Sequence, residues 1–165
     1  MKVTQKHQSG MMLLEALLGI LIFSIGILAM VAMQARSVST LADAQYRVEA
    51  VNLANRLLSQ IWVNADRSNA AALQTSLLTF AHQAGGTPCD FNGDPASSPV
   101  ATAWLNMVQK PLLPGADNPA YQQILVQPVI GTATVNRVTI TLCWLAPNEP
   151  AGSAPHRHTI VGYVN

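Results

Sequence analysis

Two cysteines are the residues of this chain whose type and spacing most clearly suit covalent chemistry. Cys89 and Cys143 both lie outside the most apolar part of the chain. They can close a loop of about 55 residues, and a disulfide of that span stabilises a domain by about 4 kcal/mol. Because small exported domains commonly carry such cross-links, we predict a Cys89–Cys143 disulfide and an oxidising compartment. Two unpaired buried thiols are the alternative.

Two further segments contain side chains of the types that commonly bind metal ions. The segment DFNGD at residues 90–94 resembles the start of a calcium loop, but Pro95 and Ala101 stand where that loop needs a glycine and a closing acid. We therefore expect turns there. His156 and His158 would share one side of a strand, yet no third ligand stands near them in sequence. They are predicted to be surface residues, and no metal or cofactor is expected.

The remaining composition does not favour catalysis or nucleic-acid binding. The chain contains no G-x-S-x-G, H-E-x-x-H or G-x-x-x-x-G-K-[ST] motif, and its few carboxylates are scattered. We therefore predict that it is not an enzyme. A net charge of +1 provides no basic patch for nucleic acid. Trp62, Trp104 and Trp144 are expected to be packing residues.

The most hydrophobic segment, residues 11–33, predicts a transmembrane helix. At 1.5 Å per residue it reaches about 35 Å, enough to cross a bilayer. Lys2 and Lys6 precede it, so the following residues should lie outside the cytoplasm. Glu15 is its only charged residue, and a charge near the centre of a membrane helix costs about 2.5–3.5 kcal/mol. Glu15 is therefore expected to have a partner, or else to extend to the lipid headgroups on the cytoplasmic side of the membrane.

Residues 10–15, GMMLLE, followed by ALLGILIFSIGILAMVAMQA, resemble the class III signal of type IV prepilins. The resemblance implies that a prepilin peptidase cuts the Gly10-Met11 bond, removes residues 1–10 and methylates the new amine of Met11. It also implies that Glu15 neutralises an N-terminal amine when a subunit docks into a filament. Met11 replaces the usual phenylalanine, and Ala32 stands where many major pilins have a proline.

Residues 44–64, AQYRVEAVNLANRLLSQIWVN, are similar to the helix of minor pilins of the PilV type. This similarity implies a structural subunit that acts in pilus assembly and joins the filament at or near its tip. The implied partners are the prepilin peptidase, the major pilin, other minor pilins, the inner-membrane assembly platform and a tip adhesin. The implied location is the bacterial inner membrane, with the C-terminal domain in the periplasm, and then the cell-surface pilus. A minor pseudopilin of a type II secretion system and a signal-anchored periplasmic enzyme are the alternatives.

The elements that position these residues are predicted to form an α+β, pilin-like fold. The helix should continue over residues 34–64 with one apolar face, and a headgroup should follow at residues 65–165. That apolar face serves either as core or as a contact with other subunits. Its residues are Leu41, Ala44, Val48, Val51, Ala54, Leu58 and Ile61.

Within the headgroup, two helices and a small antiparallel sheet are predicted. Asn69 should cap a helix that runs to Gln83 and ends at Gly85-Gly86, with a loop after it. Ser98-Pro99 should begin another helix that ends before Pro111. Strands are expected around residues 124–126, 135–142 and 159–164, with a hairpin turn at Gly131-Thr132 and an exposed loop at residues 146–155.

Overall fold

The computed structural model describes residues 9–109, 113–131, 134–147, 149–150 and 152–165. Predictions for Lys2, Lys6, Pro111 and Thr132 therefore lie outside the described residues. The fold is α+β, as predicted, with a long N-terminal helix and a small antiparallel sheet. The elements are α1 Ser9–Asn64, α2 Ala70–Leu78, β1 Gly85–Thr87, β2 Asp90–Asn92, α3 Pro99–Val108, a 3₁₀ turn Pro119–Tyr121, β3 Gln122–Pro128, β4 Asn136–Trp144 and β5 His156–Val164.

The chain divides into two compact units, and the boundary falls inside helix α1, between Ala42 and Asp43. In the first unit every side chain from residue 11 to residue 41 is exposed. A helix that is apolar on all sides and that no other described residue covers is typical of a membrane span. The second unit, Asp43–Asn165, holds the hydrophobic core.

Helix α1 contributes one buried stripe to this core, which coincides only in part with the predicted apolar face: Val51 and Leu58 of that face are partly buried, and Leu41, Ala44 and Val48 are exposed. The buried residues are Ala50, Leu53, Ala54, Leu57 and Ile61. Only Ala54 and Ile61 belong to both stripes, while Val48 remains 59% exposed. Both sets recur at intervals of three and four, so the sequence contains two adjacent apolar stripes. Packing of the headgroup selects one of them.

The main sheet has the order β3-β4-β5 and is antiparallel throughout. Its register pairs Ile124 with Ile140 and Ile140 with Ile160, so three isoleucines form one row. Val138, Ile140, Leu142 and Trp144 alternate along β4 and are fully or almost fully buried, as expected for the inner face of a central strand. The three predicted strands are confirmed.

The two short helices begin where the sequence predicts. The Asn69 side chain accepts a hydrogen bond of 2.9 Å from the Ala72 backbone N–H, and Ser98-Pro99 opens α3, which ends at Val108. Helix α2, however, ends at Leu78 rather than at Gln83. Beyond it, the segment turns so that His82 can pair with Ile124 of β3.

Gly85 and Gly86 do not end a helix; they lie in strand β1 of a hairpin with β2. Gly86 has a φ of 88°, and a Cβ there would collide with the Asp90 carbonyl. Glycine at this position therefore allows the two strands to approach. The predicted loop is in part this hairpin, which ends in a turn at Pro88 and Cys89.

Candidate membrane anchor and disulfide-bonded headgroup

Within the described residues, one helix is long and apolar enough to cross a membrane by its length and composition. Its candidate span begins at Met11, and its most apolar window has a mean hydropathy of 2.7 and no side chain buried within the chain. Gly10 and Met11 both lie inside helix α1, so their connecting peptide bond is part of the helical segment. Met11 itself is 81% exposed.

Glu15 is the single acid of this anchor. Its side chain is exposed, and no described residue makes a hydrogen bond or an ion pair with it. The flanking Leu14 and Leu18 are also exposed, at 61% and 49%. The carboxylate therefore lies among apolar side chains, in a setting where a partner from another molecule would lower the cost of its charge.

The predicted disulfide is present in the second unit. The sulfurs of Cys89 and Cys143 are 2.05 Å apart and their Cα atoms 5.7 Å apart. Cys143 lies in β4 and is fully buried, whereas Cys89 lies in the β1–β2 turn with a φ of 64°. The bond therefore ties the small hairpin to the central strand of the main sheet.

The calcium-like segment does not form a calcium loop. Its first three residues form strand β2, in which Phe91 is buried between the exposed Asp90 and Asn92. Alternation along a strand directs the side chains of Asp90 and Asn92 to the same face, opposite Phe91. Among the described residues there is no group of three or more histidine, cysteine, aspartate and glutamate side chains suited to a metal ion.

The sequence predicts that His156 is a surface residue, but its side chain is partly enclosed. Its ring stacks on Trp144 with centroids 5.6 Å apart, and its Nε2 lies 2.7 Å from Glu149 Oε1. On the other side, Nδ1 is 3.5 Å from an Arg47 guanidinium nitrogen, and Arg47 donates a 2.9 Å hydrogen bond to Asp43. With a proton on Nε2 the ring donates to Glu149 Oε1 and its Nδ1 accepts from Arg47. This cluster connects β5, the loop before it and helix α1.

His82 is a second enclosed histidine that the sequence did not single out. It is 5% exposed, and its Nδ1 accepts a 3.2 Å hydrogen bond from the Ala96 backbone N–H. Burial lowers the pKa of His82, because the charged ring would lose its hydration. The neutral ring therefore joins α2, β3 and the segment before α3. No spacing pattern in the sequence indicates this role.

A tryptophan holds helix α3 against helix α1. The Trp104 side chain is 1% exposed, and its indole N–H donates a 2.8 Å hydrogen bond to the Leu53 carbonyl oxygen. Trp104 and Trp144 are therefore core residues, as predicted. Trp62 is 41% exposed, and the Arg67 guanidinium lies 5.3 Å from its ring centre.

Comparison of the chain with known protein families, with curated proteins and with solved structures finds no match.

Proposed function

We propose that this chain is a minor pilin of a type IV pilus, of the PilV type, anchored in the inner membrane before its assembly into a filament. The observation that carries the proposal is the order of features along the chain. A glycine precedes an apolar helix with one acid at Glu15, and the same helix continues into a disulfide-bonded α+β domain. Such a subunit is structural and needs no catalytic group.

The residues implied by the resemblance receive defined roles in this proposal. A prepilin peptidase cuts between Gly10 and Met11 on the cytoplasmic side, and the new amine of Met11 is methylated. Glu15 then pairs with the N-terminal amine of a neighbouring subunit, because two opposite charges in an apolar bundle are less costly together than apart. The anchor would contact the assembly platform, the major pilin and other minor pilins, and a tip adhesin is a further candidate partner.

The first experiment measures the intact mass of the membrane-extracted protein, with fragmentation of its N-terminal peptide, in cells with and without a prepilin peptidase. We expect a start at N-methylated Met11 only in cells that have the peptidase. A start at Met1 in both strains, or near Arg36, would refute processing of the pilin type. The same spectra, recorded with a thiol-blocking reagent, should show two blocked thiols only after reduction.

A second test addresses assembly rather than processing. Glu15→Ala should be cut normally, because the scissile bond is unchanged, but should enter filaments at no more than about one tenth of the normal level, as expected if one ion pair is lost. The measurement is the amount of subunit in sheared pili, and Glu15→Asp is the matched control that keeps the charge. Normal incorporation of Glu15→Ala would sink the amine-pairing role while leaving the processing result intact.

A further inference from the structure

Strand β5 is an uncovered edge of the main sheet. Among the described residues it pairs with β4 alone. The opposite edge is partly covered, because His82 and Ile124 exchange two backbone hydrogen bonds of 3.0 and 2.9 Å. Proline, bulges and charged side chains are the usual features that keep a strand edge from pairing with another chain. Strand β5 is nine residues long, has no proline and no bulge in its pairing with β4, and carries a single arginine, Arg157.

The register shows which backbone groups of β5 face outward. In an antiparallel ladder, alternate residues direct their N–H and C=O groups to opposite sides. Ile124 bonds outward to His82, so its partner Ile140 directs its groups to β5 and pairs with Ile160. The backbone N–H and C=O groups of the residues on either side of Ile160 are therefore directed away from β4, to the open edge. The outward-facing residues of β5 are Arg157, Thr159, Val161 and Tyr163.

Helix α1 lies beneath β5 and runs in the same direction. Near the start of β5, an Arg47 guanidinium nitrogen is 3.5 Å from His156 Nδ1. Near its end, a Cβ placed on Gly162 would meet Leu58 Cδ1 at 2.5 Å, so the leucine packs directly against the strand. The contact of α1 with α3, through Trp104 and Leu53, is on another side of the helix.

A second surface lies beside the open edge. At about 100° per residue, residues 44, 48, 51 and 62 fall on the side of α1 that continues past β5, away from α3. We call Ala44, Val48, Val51 and Trp62 the α1 stripe; the exposed Asn55 lies on the same side of the helix, between Val51 and Trp62. Val48 is 59% and Trp62 41% exposed. Arg67 covers one face of Trp62 and donates a 3.0 Å hydrogen bond to the Asn165 carbonyl, so the stripe ends where β5 ends.

We propose that the open edge of β5 and the α1 stripe together bind one extended strand of another protein. Strands pair at about 4.8 Å, so an added strand would complete the row of outward backbone groups and lie above the stripe. Its alternate side chains on the inner face would be apolar and cover Val48 and Val51. Because β5 contains Arg157 and no acid, an acidic residue of the added strand fits opposite that arginine.

The β5 strand of a second copy of this chain does not fit this site. Two β5 strands paired edge to edge would be about 4.8 Å apart, whereas packed helices need about 8–10 Å between their axes. Each copy has its own α1 beneath β5, as the Leu58 and Arg47 contacts show. The two helices would collide. The occupant is therefore an extended segment with no helix beneath it, such as a tail or a free loop strand.

The test uses the full chain in lipid nanodiscs and two fluorescent peptides of about eight residues with alternating valine and threonine. One peptide is N-methylated at every valine and the other at every threonine. The added strand is proposed to run antiparallel to β5, so that with its valines on the stripe its threonine N–H groups face β5. We therefore expect the valine-methylated peptide to bind and the threonine-methylated peptide not to bind. Equal binding of the two, or no binding of the first, would overturn the proposal.

Matched variants locate the bound peptide. Val161→Pro removes one outward N–H and leaves the bonds to β4, while Val161→Thr keeps that N–H. Val48→Asp places a charge on the stripe, and Val63→Asp places the same charge on an exposed site that is outside it. Val161→Pro and Val48→Asp should each weaken binding about tenfold, with the two controls close to the parent. Similar affinities for Val48→Asp and Val63→Asp would contradict the role of the stripe.

A photo-reactive side chain in place of Val161 tests the excluded occupant in cells. A cross-linked product with twice the mass of the chain would show that a second copy occupies the edge, and would overturn the proposal. Absence of that product, together with the peptide results, supports a strand from another protein. The site depends only on residues of the second unit, so it stands whether or not the Gly10-Met11 bond is cut.

Discussion

The two parts of helix α1 differ in how their apolar side chains are used. From residue 11 to residue 41 every side chain is exposed, and none of the residues that the structure describes covers Ile22, Phe23 or Leu28. From Asp43 onward the same helix buries one narrow stripe, in which Ala50, Leu57 and Ile61 have no exposed surface. One element thus combines a surface that needs a lipid or protein environment with one that is satisfied by its own domain.

Apolar side chains in the first part favour entry into a membrane or a helix bundle, whereas those in the second part stabilise the folded headgroup. In the first part the free energy of burial is available only when the helix enters a bilayer or a bundle. In the second part it stabilises the headgroup, together with a disulfide and a set of specific contacts. A substitution in the first part should therefore change membrane insertion but not the stability of the headgroup, and a substitution in the second part should do the reverse. The following predictions test that separation in order of decreasing effect.

The largest effect is expected from the disulfide. Replacing Cys89 and Cys143 together by serine should lower the free energy of unfolding of the headgroup by about 4 kcal/mol, because the unfolded chain gains loop entropy. Calorimetry of the full chain in detergent measures this loss. The helical circular dichroism that remains after the headgroup unfolds should be the same in variant and parent. A loss below about 1 kcal/mol would show that the bond stabilises little.

A charge in the membrane-spanning part of α1 should weaken membrane insertion and leave the stability of the headgroup unchanged. Ile22 is 68% exposed, and Ile22→Asp should cost about 2.5–3.5 kcal/mol of membrane insertion. The membrane fraction of the protein should fall, while the melting temperature of the headgroup in detergent stays within about 1 °C of the parent. Ile22→Leu is the matched control. A lower melting temperature in Ile22→Asp would mean that the two parts are energetically coupled.

Adding a single methyl group at the contact of α1 with β5 should lower the free energy of unfolding of the headgroup. Gly162→Ala places a Cβ about 2.5 Å from Leu58 Cδ1, and overpacking of this kind costs about 1–3 kcal/mol. Combining it with Leu58→Ala should give a loss smaller than the sum of the two single losses, because the smaller side chain relieves the clash. Additive losses in chemical denaturation would indicate that the two residues do not press on each other.

The smallest effect should come from acid. Because burial lowers the pKa of His82, the unfolded chain takes up a proton near its usual pKa of about 6.5 before the folded chain does. Stability is therefore full above that pH and is lost as the pH falls through the lowered pKa of the folded state. His82→Asn keeps an acceptor for the Ala96 N–H and removes the charge. The melting temperature of the parent should fall more than that of this variant between pH 7 and pH 5.

Much of the fold follows from local patterns. The three strands of the main sheet, the Asn69 cap and the Ser98-Pro99 helix start were all predictable, because each depends on alternation or on a residue that satisfies nearby backbone groups. The end of α2 was not predictable, because the chain after it turns so that His82 pairs with Ile124, a contact between segments distant in sequence. The β1–β2 hairpin was not predicted either; its turn contains Cys89, which is bonded to the distant Cys143.

The sequence alone determined the apolar span, the lone acid within it and the availability of two cysteines, since these depend only on which residues follow one another. Tertiary structure decided which of two adjacent stripes on α1 is buried, because both have the same helical period and only the shape of the headgroup distinguishes them. It also decided that His156 lies between Arg47 and Glu149 and that β5 is an open edge. Such features depend on which distant segments meet, and the physical chemistry of a local segment contains no record of that.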